Sequence, residues 1–157
     1  MNIDIIAVGK IKERFFRDAI EEYSKRLSAF GKITITEIPD EKIPDNPSEK
    51  VMEQIKKKEG EKILSRIKPG TVVSMCIEGK QYSSEDLADF IKASANNSAR
   101  ITFIIGGSLG LWDNVKNIAG EKMSFGKITL PHQLMRVVLM EQIYRGFKII
   151  NNQSYHK

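Results

Sequence analysis

The order of apolar patterns along the chain predicts an α/β protein with a mostly parallel sheet and helices on both of its faces. Short β-rich runs alternate with longer segments whose apolar residues recur every three or four positions. Such alternation produces parallel strands, because each helix carries the chain back across the sheet. With 157 residues, 41% hydrophobic and 29% charged, the chain is expected to form one domain covering residues 1–157.

Periodicity predicts the first four elements. Residues 2–8 form a β-rich run closed by Gly9, and residues 32–38 alternate polar and apolar side chains, so both segments are predicted strands. Between them, residues 12–30 carry apolar side chains at helical spacing. After a loop marked by three prolines, Ser48 is predicted to cap a helix that ends near residue 67.

The rest of the chain continues the alternation. Ser83 to Asp86 have the pattern of a capping box, which predicts a helix start, and Pro131 suits the first turn of a helix. The remaining predicted elements are, in chain order, a strand at residues 71–77, a helix from Ser83 to about 95, a strand at 100–105, a short helix at 113–119, a brief strand at 127–129 and a final helix from Pro131 to about 151.

Composition excludes several classes of protein. Cys76 is the single cysteine, so an intrachain disulfide is impossible, and two widely spaced histidines give no zinc pattern. No apolar run approaches the roughly 20 residues that cross a bilayer, and the N-terminus lacks the pattern of a signal peptide. We therefore expect a cytoplasmic protein with neither a membrane nor a metal partner.

Residues 127–157 hold most of the net charge of +5. This segment contains five Lys or Arg against one acid, Glu141, whereas the first 126 residues contain 20 basic and 19 acidic side chains. It also carries both histidines, His132 and His156. A basic segment with titratable rings indicates an anionic partner beside an acid–base site, although composition alone favours a buried helix with a frayed end.

The final predicted helix is apolar around almost its whole circumference. Such a helix is buried on more than one side, and in a small domain the sheet covers only one of them. We therefore expect a second subunit to cover the other side, which predicts a homodimer. The apolar residues concerned are Leu134, Met135, Val137, Val138, Leu139, Met140, Ile143, Tyr144, Phe147, Ile149 and Ile150.

Two further patterns bear on a site. Glycines in residues 106–110 follow a predicted strand and let a ligand approach the backbone, but they match neither the dinucleotide-binding nor the P-loop pattern. A ligand loop and a plain turn therefore both remain open. In the last helix, His132 and Arg136 are four residues apart, as are Glu141 and Arg145, so each pair shares a helix face. For the second pair, a simple helix salt bridge is the competing interpretation.

Four motifs, in order, give a specific resemblance that covers essentially the whole chain. They are FIIGGSLGL from Phe103, ITLPHQLMR from Ile128, EQIYR from Glu141 and the terminal YHK from Tyr155. The sequence resembles the bacterial large-subunit rRNA pseudouridine-N3 methyltransferases, S-adenosylmethionine-dependent enzymes of the SPOUT class. Many members end in Tyr-His-Arg, so Lys157 keeps the positive charge of the arginine but loses its planar fork.

The resemblance implies a parallel α/β sheet whose C-terminal part forms a trefoil knot, and a homodimer with its active site at the subunit interface. S-adenosylmethionine would lie in the knot loops and be held largely by backbone groups. A Cβ at Gly106 or Gly126 is expected to hold the backbone away from the adenosine. Carried over to this sequence, the cofactor-binding residues are Met75, Gly106, Phe125, Gly126, Lys127, Ile128, Thr129 and Leu130.

The resemblance also implies methyl transfer to N3 of a pseudouridine in 23S rRNA, within the assembled 70S ribosome. N3 carries a proton that must leave before the nitrogen becomes a nucleophile. His156 is the first candidate for accepting this proton, and His132 is the second. The other implied roles are stabilisation of the developing anion by Arg145 or Arg136, stacking on the extruded base by Tyr155, and orientation of Arg145 by Glu141.

Two other functions remain open from the sequence. One is a non-catalytic ribosome-binding module that keeps the fold and the tail. The other is a flavodoxin-like enzyme that binds a nucleotide at the glycine turn.

Overall fold

The computed structural model describes residues 1–157 and contains one five-stranded sheet and five helices. The strands are β1 (Asn2–Val8), β2 (Lys32–Ile38), β3 (Thr71–Gln81), β4 (Arg100–Ile105) and β5 (Glu121–Ser124). The helices are α1 (Arg14–Leu27), α2 (Glu49–Leu64), α3 (Ser84–Asn97), α4 (Asp113–Ile118) and α5 (His132–Ile150).

The sheet is parallel throughout, with the strand order β2-β1-β4-β3-β5. This confirms the predicted α/β class. Because all strands run the same way, their carboxyl ends meet at one edge, where loops after neighbouring strands can share a site. The loops after β1, β3, β4 and β5 therefore decide what this molecule binds.

The last strand differs from the sequence prediction. The brief strand predicted at residues 127–129 is wrong, because the strand lies six residues earlier, at β5. There Met123 and Ser124 are buried and pair with β3, whereas Ile128 is 79% exposed. A β-branched residue favours a strand only where a partner strand is available, and β3 meets β5 rather than the segment after it. β3 itself runs to Gln81, beyond the predicted residue 77, with an irregular register between Met75 and Lys80.

Helices cover both faces of the sheet, as predicted. On one face, Leu27 of α1, Leu87 of α3 and Leu139 of α5 join a core formed with β1, β3 and β4. On the other face, Ile63 of α2 and Val115 of α4 join a second, smaller core. Each strand therefore contributes apolar side chains alternately to two layers.

Contacts within its own chain explain much of the burial of α5. α5 packs against both α1 and α3, and Leu139, Met140 and Ile143 are fully buried. Its outward residues, including Leu134 and Val137, are half-buried. Contacts within one chain thus account for two sides of the helix, and the homodimer stays a prediction.

Local sequence signals predicted the starts of α2 and α3 correctly. The Ser48 side chain accepts a hydrogen bond from the Val51 amide at the start of α2. Ser83 and Asp86 form the predicted reciprocal capping box at the start of α3. None of the helices is both long enough and apolar enough to cross a membrane.

Candidate functional site

A cavity of about 550 Å³ opens at the carboxyl edge of the sheet. Its walls come from the ends of β3, β4 and β5, from the glycine turn after β4, and from the segment that leads into α5. Seven of the eight residues predicted to bind a cofactor line it, and Lys127 does not. The seven are Met75, Gly106, Phe125, Gly126, Ile128, Thr129 and Leu130. The structure thus brings them together, while their role in binding stays a prediction.

Gly106 and Gly126, the two glycines singled out in the sequence, differ in what a side chain at each position would contact. A Cβ on Gly106 would lie 2.9 Å from the Gly110 carbonyl carbon and 3.0 Å from the Leu111 amide nitrogen, so the turn itself excludes a side chain. Gly126 has φ +112°, and a Cβ there would meet open space. The positive φ by itself favours glycine at Gly126, and packing of its own turn requires glycine at Gly106, so the close approach of a ligand stays a prediction at both positions.

Side chains fix the loop that carries Gly126. The Ser124 hydroxyl lies 3.1 Å from both the amide nitrogen and the carbonyl oxygen of Gly126. Ser124 is buried at the end of β5. The loop geometry is therefore set by the sheet, which holds the backbone polar groups of this segment in place around the cavity.

His132 lies at the edge of the cavity, in the first turn of α5. Its imidazole packs over the backbone after β1. The position that a Cβ would take on Gly9 is only 3.2 Å from His132 Nε2. This histidine is therefore the one that the fold brings to the cavity within a single chain.

Arg136 is buried, with 1% of its surface exposed. Its guanidinium donates to the Glu37 carboxylate over 2.9 Å and to the Gly9 carbonyl over 3.1 Å. These bonds tie α5 to the carboxyl ends of β1 and β2. Because the group is enclosed and already paired, its placement favours Arg145 over Arg136 for the predicted stabilisation of an anion.

The other four predicted catalytic residues lie together with Glu85, which was not predicted. We call these five residues the C-terminal cluster: Glu141, Arg145, Tyr155, His156 and Glu85. Arg145 donates two hydrogen bonds to Glu141 Oε1, of 3.0 Å from Nε and 2.5 Å from Nη2. The Tyr155 hydroxyl donates to the same oxygen over 3.2 Å, and the Arg145 guanidinium lies 4.8 Å from the centre of the Tyr155 ring. His156 bridges Arg145 and Glu85. The four predicted residues do come together.

The partners of His156 define its protonation. Arginine only donates, so Nδ1, 3.3 Å from Arg145 Nη1, accepts. Nε2, 2.7 Å from the Glu85 carboxylate, then carries the proton and donates it. A carboxylate on one ring nitrogen orients the imidazole and makes the other nitrogen the basic one. Glu85 escaped the sequence analysis because an acid in the first turn of a helix is ordinary.

The electrostatics of the C-terminal cluster follow from these contacts. The hydrogen bond from Arg145 to Glu141 raises the pKa of the guanidinium, so Arg145 stays charged. Burial, and then the Glu141 carboxylate, raise the pKa of Tyr155 to about 12. The backbone amide of Glu85 and the bond to His156 lower the pKa of the Glu85 carboxyl. The cluster therefore holds a permanent cation and a neutral phenol at neutral pH.

Within one chain, the C-terminal cluster and the cavity are separate. None of the five cluster residues lines the cavity. A smaller cavity of about 300 Å³ lies between them, bounded by Phe125 and Leu130 on one side and by Gln142 on the other. Gln142 donates to Glu141 over 2.6 Å and accepts from Ser84 over 2.6 Å. The predicted site is thus present in two parts.

Comparison with known proteins identifies the family. A family model described as a predicted SPOUT methyltransferase matches residues 1–156. The chain belongs to the SPOUT methyltransferase family. This confirms the resemblance found in the motifs.

Individual relatives agree over their full length. The chain is 53% identical to the ribosomal RNA large subunit methyltransferase H of Bacillus pumilus and 55% identical to that of Clostridium beijerinckii, in each case over 100% of both proteins. Among solved structures, a probable methylase family protein of Haemophilus influenzae superposes with a TM-score of 0.55 at 11% identity, covering 99% of this chain and 70% of the other. That structure supports the fold.

Proposed function

We propose that the protein is an S-adenosylmethionine-dependent methyltransferase of large-subunit rRNA, and that its methyl acceptor is N3 of a pseudouridine in the assembled 70S ribosome. The observation that carries the proposal is full-length identity of 50–55% to proteins named ribosomal RNA large subunit methyltransferase H. An enzyme that acts on ribosomes would work in the cytoplasm. The nucleotide, the ribosomal context and the cytoplasm follow from the family resemblance.

The cavity fits the cofactor. Its volume of about 550 Å³ lies within the range of small-molecule sites. The walls combine apolar side chains such as Met75 and Leu130, suited to an adenine ring, with loop backbone groups suited to polar atoms. The open space beside Gly126 lets a ligand reach that backbone. When bound, the cofactor supplies an electrophilic methyl group on a sulfonium sulfur.

The path of the chain supports the proposed trefoil knot. From β5, at one edge of the sheet, the chain returns to the centre, where His132 lies over Gly9 after β1. Arg136 then binds the Gly9 carbonyl. A knot would require this returning segment to thread through the loop after β4. The loops that it would tighten are those around the cavity.

The C-terminal cluster supplies the acid–base chemistry. N3 of the base gives up its proton to His156 Nδ1 once the base displaces the Arg145 contact to that nitrogen, while Glu85 orients the ring through Nε2. The deprotonated N3 would then be the nucleophile for the methyl group that a bound cofactor would supply. Arg145 stabilises the negative charge that develops on the ring oxygens, because Glu141 holds its guanidinium in place. Tyr155 provides the ring on which the extruded base stacks.

A homodimer would complete the active site. The C-terminal cluster does not line the cavity of its own chain, so methyl transfer requires that the cluster meet a cavity from another direction. The half-buried outer residues of α5, among them Leu134 and Val137, offer the apolar surface for a second copy. We propose that each subunit presents its C-terminal cluster to the cavity of its partner.

Methyl incorporation tests the proposal. Ribosomes from cells that lack this methylation are incubated with the protein and S-adenosylmethionine carrying a labelled methyl group. We expect label in 23S rRNA of 70S particles, and none after deletion of residues 152–157. Titration calorimetry serves as the control: the truncated protein should bind the cofactor with nearly unchanged affinity, because no residue of the tail lines the cavity of its own chain and the walls that would hold the cofactor are unchanged. Cofactor and ribosome binding without incorporation would instead indicate a non-catalytic module, and absence of cofactor binding would refute the proposal.

A further inference from the structure

The segment between β1 and the first turns of α1 presents an exposed surface that the proposed chemistry does not use. Four cations lie within eight residues there, and an exposed phenylalanine lies among them. We call this surface the basic lip; it consists of Lys10, Lys12, Arg14, Phe15 and Arg17.

Phe15 is the unusual member of the basic lip. It is 65% exposed, whereas Leu27 of the same helix is fully buried and Ile20 and Tyr23 pack against the core. The Phe16 ring lies 4.4 Å from that of Phe15, centre to centre, and supports one side of it. An apolar ring that stays exposed adds little to the stability of the fold. Its exposed face is therefore available for stacking against a planar group of a partner.

The basic lip is positive and its charges are largely free. Lys10, Lys12, Arg14 and Arg17 face the single acid Glu13 within this segment. Arg14 contacts Asp18 over 3.8 Å, but both side chains are mostly exposed, so the pair is weak. Exposed cations around an exposed aromatic ring match the chemistry of single-stranded nucleic acid, which offers phosphates and stackable bases.

The basic lip is also fixed beside the cavity. The Lys12 amide donates to the Gln133 side chain over 3.0 Å, directly after His132 at the cavity edge. The Ile11 amide donates to Glu37 over 3.1 Å, and Arg136 holds the carbonyl of Gly9. These bonds join the backbone of the lip to the start of α5, where His132 borders the cavity.

We propose that the basic lip binds the single-stranded rRNA next to the target nucleotide, with one base stacked on Phe15 and the phosphates on the surrounding cations. The inference rests on the proposed function and extends it, because it assigns to this surface the positioning of the substrate. A base flipped out for methylation leaves its neighbours unstacked, and Phe15 offers one of them a replacement partner.

Steady-state methylation of 70S ribosomes tests the assignment. Loss of one base–aromatic stack weakens binding roughly 5- to 150-fold, so Phe15→Ala should raise KM for ribosomes by about tenfold or more. Its kcat and its affinity for S-adenosylmethionine should match the wild type, and Phe15→Trp should restore KM. In Arg14→Gln/Arg17→Gln, the slope of log KM against log salt should fall by about 1.4.

The double variant Lys57→Gln/Lys58→Gln is the matched control. It removes two exposed cations from α2, on the opposite face of the sheet, and should leave KM and its salt dependence unchanged. Equal effects of the two double variants would mean that net charge alone matters and would overturn the proposal. So would an unchanged KM for Phe15→Ala, or a change in its oligomeric state, which would assign the ring to contact between subunits.

Co-sedimentation with ribosomes keeps the two proposals apart. If the wild type binds ribosomes without methylating them, the proposed function fails, but the basic lip is still tested by the binding of Phe15→Ala. Weaker binding then supports the lip, and equal binding overturns it. The exposure of Phe15 means that the substitution should not alter thermal unfolding.

Discussion

Arg136 gives the sharpest test of how the fold holds the site. Arg136→Met keeps an unbranched apolar stem but removes the guanidinium and its hydrogen bonds to Gly9 and Glu37. Glu37 is 41% exposed, so its carboxylate can turn to water and loses little. The bond to the Gly9 carbonyl is enclosed, and a hydrogen bond from a charged group is worth about 1.5–3 kcal/mol. We expect a loss of about 2 kcal/mol in the free energy of unfolding.

Urea unfolding followed by circular dichroism measures this loss. For a chain of this size, about 2 kcal/mol corresponds to a fall in Tm of roughly 4–8 °C. Arg14→Met is the control, since its contact with Asp18 lies in water and should change the free energy of unfolding by less than about 0.5 kcal/mol. If Arg136→Met is as stable as the wild type, the enclosed guanidinium does not hold α5 to β1, and the structural role that set Arg136 apart from Arg145 is refuted.

The remaining predictions concern the C-terminal cluster. Glu85→Gln should lower kcat roughly tenfold or more at constant cofactor affinity, because His156 loses the carboxylate that orients its ring. Asp89→Asn, which changes another exposed acid on α3, should leave kcat unchanged. Equal kcat values for the two variants would remove Glu85 from the mechanism. In Tyr155→Phe, the component of the ultraviolet titration near pH 12 should shrink to that of Tyr82 alone, because burial raises the pKa of both Tyr82 and Tyr155 to about 12. Because folding raises the pKa of Tyr155 to about 12, its contribution to stability is present below about pH 10 and is lost as the pH rises through 12. A wild-type Tyr155 that titrates like a free phenol would contradict the burial of this ring.

Local sequence signals determined most of the fold. Alternation in β1 and β2, helical spacing in α1 and the capping box at Ser83 each concern residues close together in the chain, so they could be interpreted without the structure. The misplaced last strand shows the limit of this reasoning. Lys127 to Thr129 have a local preference for extended structure, but strand formation at this point depends on β3, about 50 residues earlier.

The candidate site, like the fold, was predicted only in part from the sequence. The motifs identified seven residues that line the cavity and four that join the C-terminal cluster, because the family resemblance preserves residue types in order. Glu85 carried no such signal, since its importance arises from an approach of His156 across 71 residues. The reason for Gly106 was also hidden, because the backbone that excludes its Cβ belongs to the fold of the turn.

The sequence by itself determined the family, the parallel α/β architecture and the residues that meet at the sheet edge. Only the tertiary structure decided that Arg136 is enclosed while Arg145 stays accessible, although both are arginines on one helix. It also decided that the C-terminal cluster and the cavity are separate within a chain. The physical reason is that burial, charge pairing and distance depend on contacts between segments far apart in sequence, which no local pattern encodes.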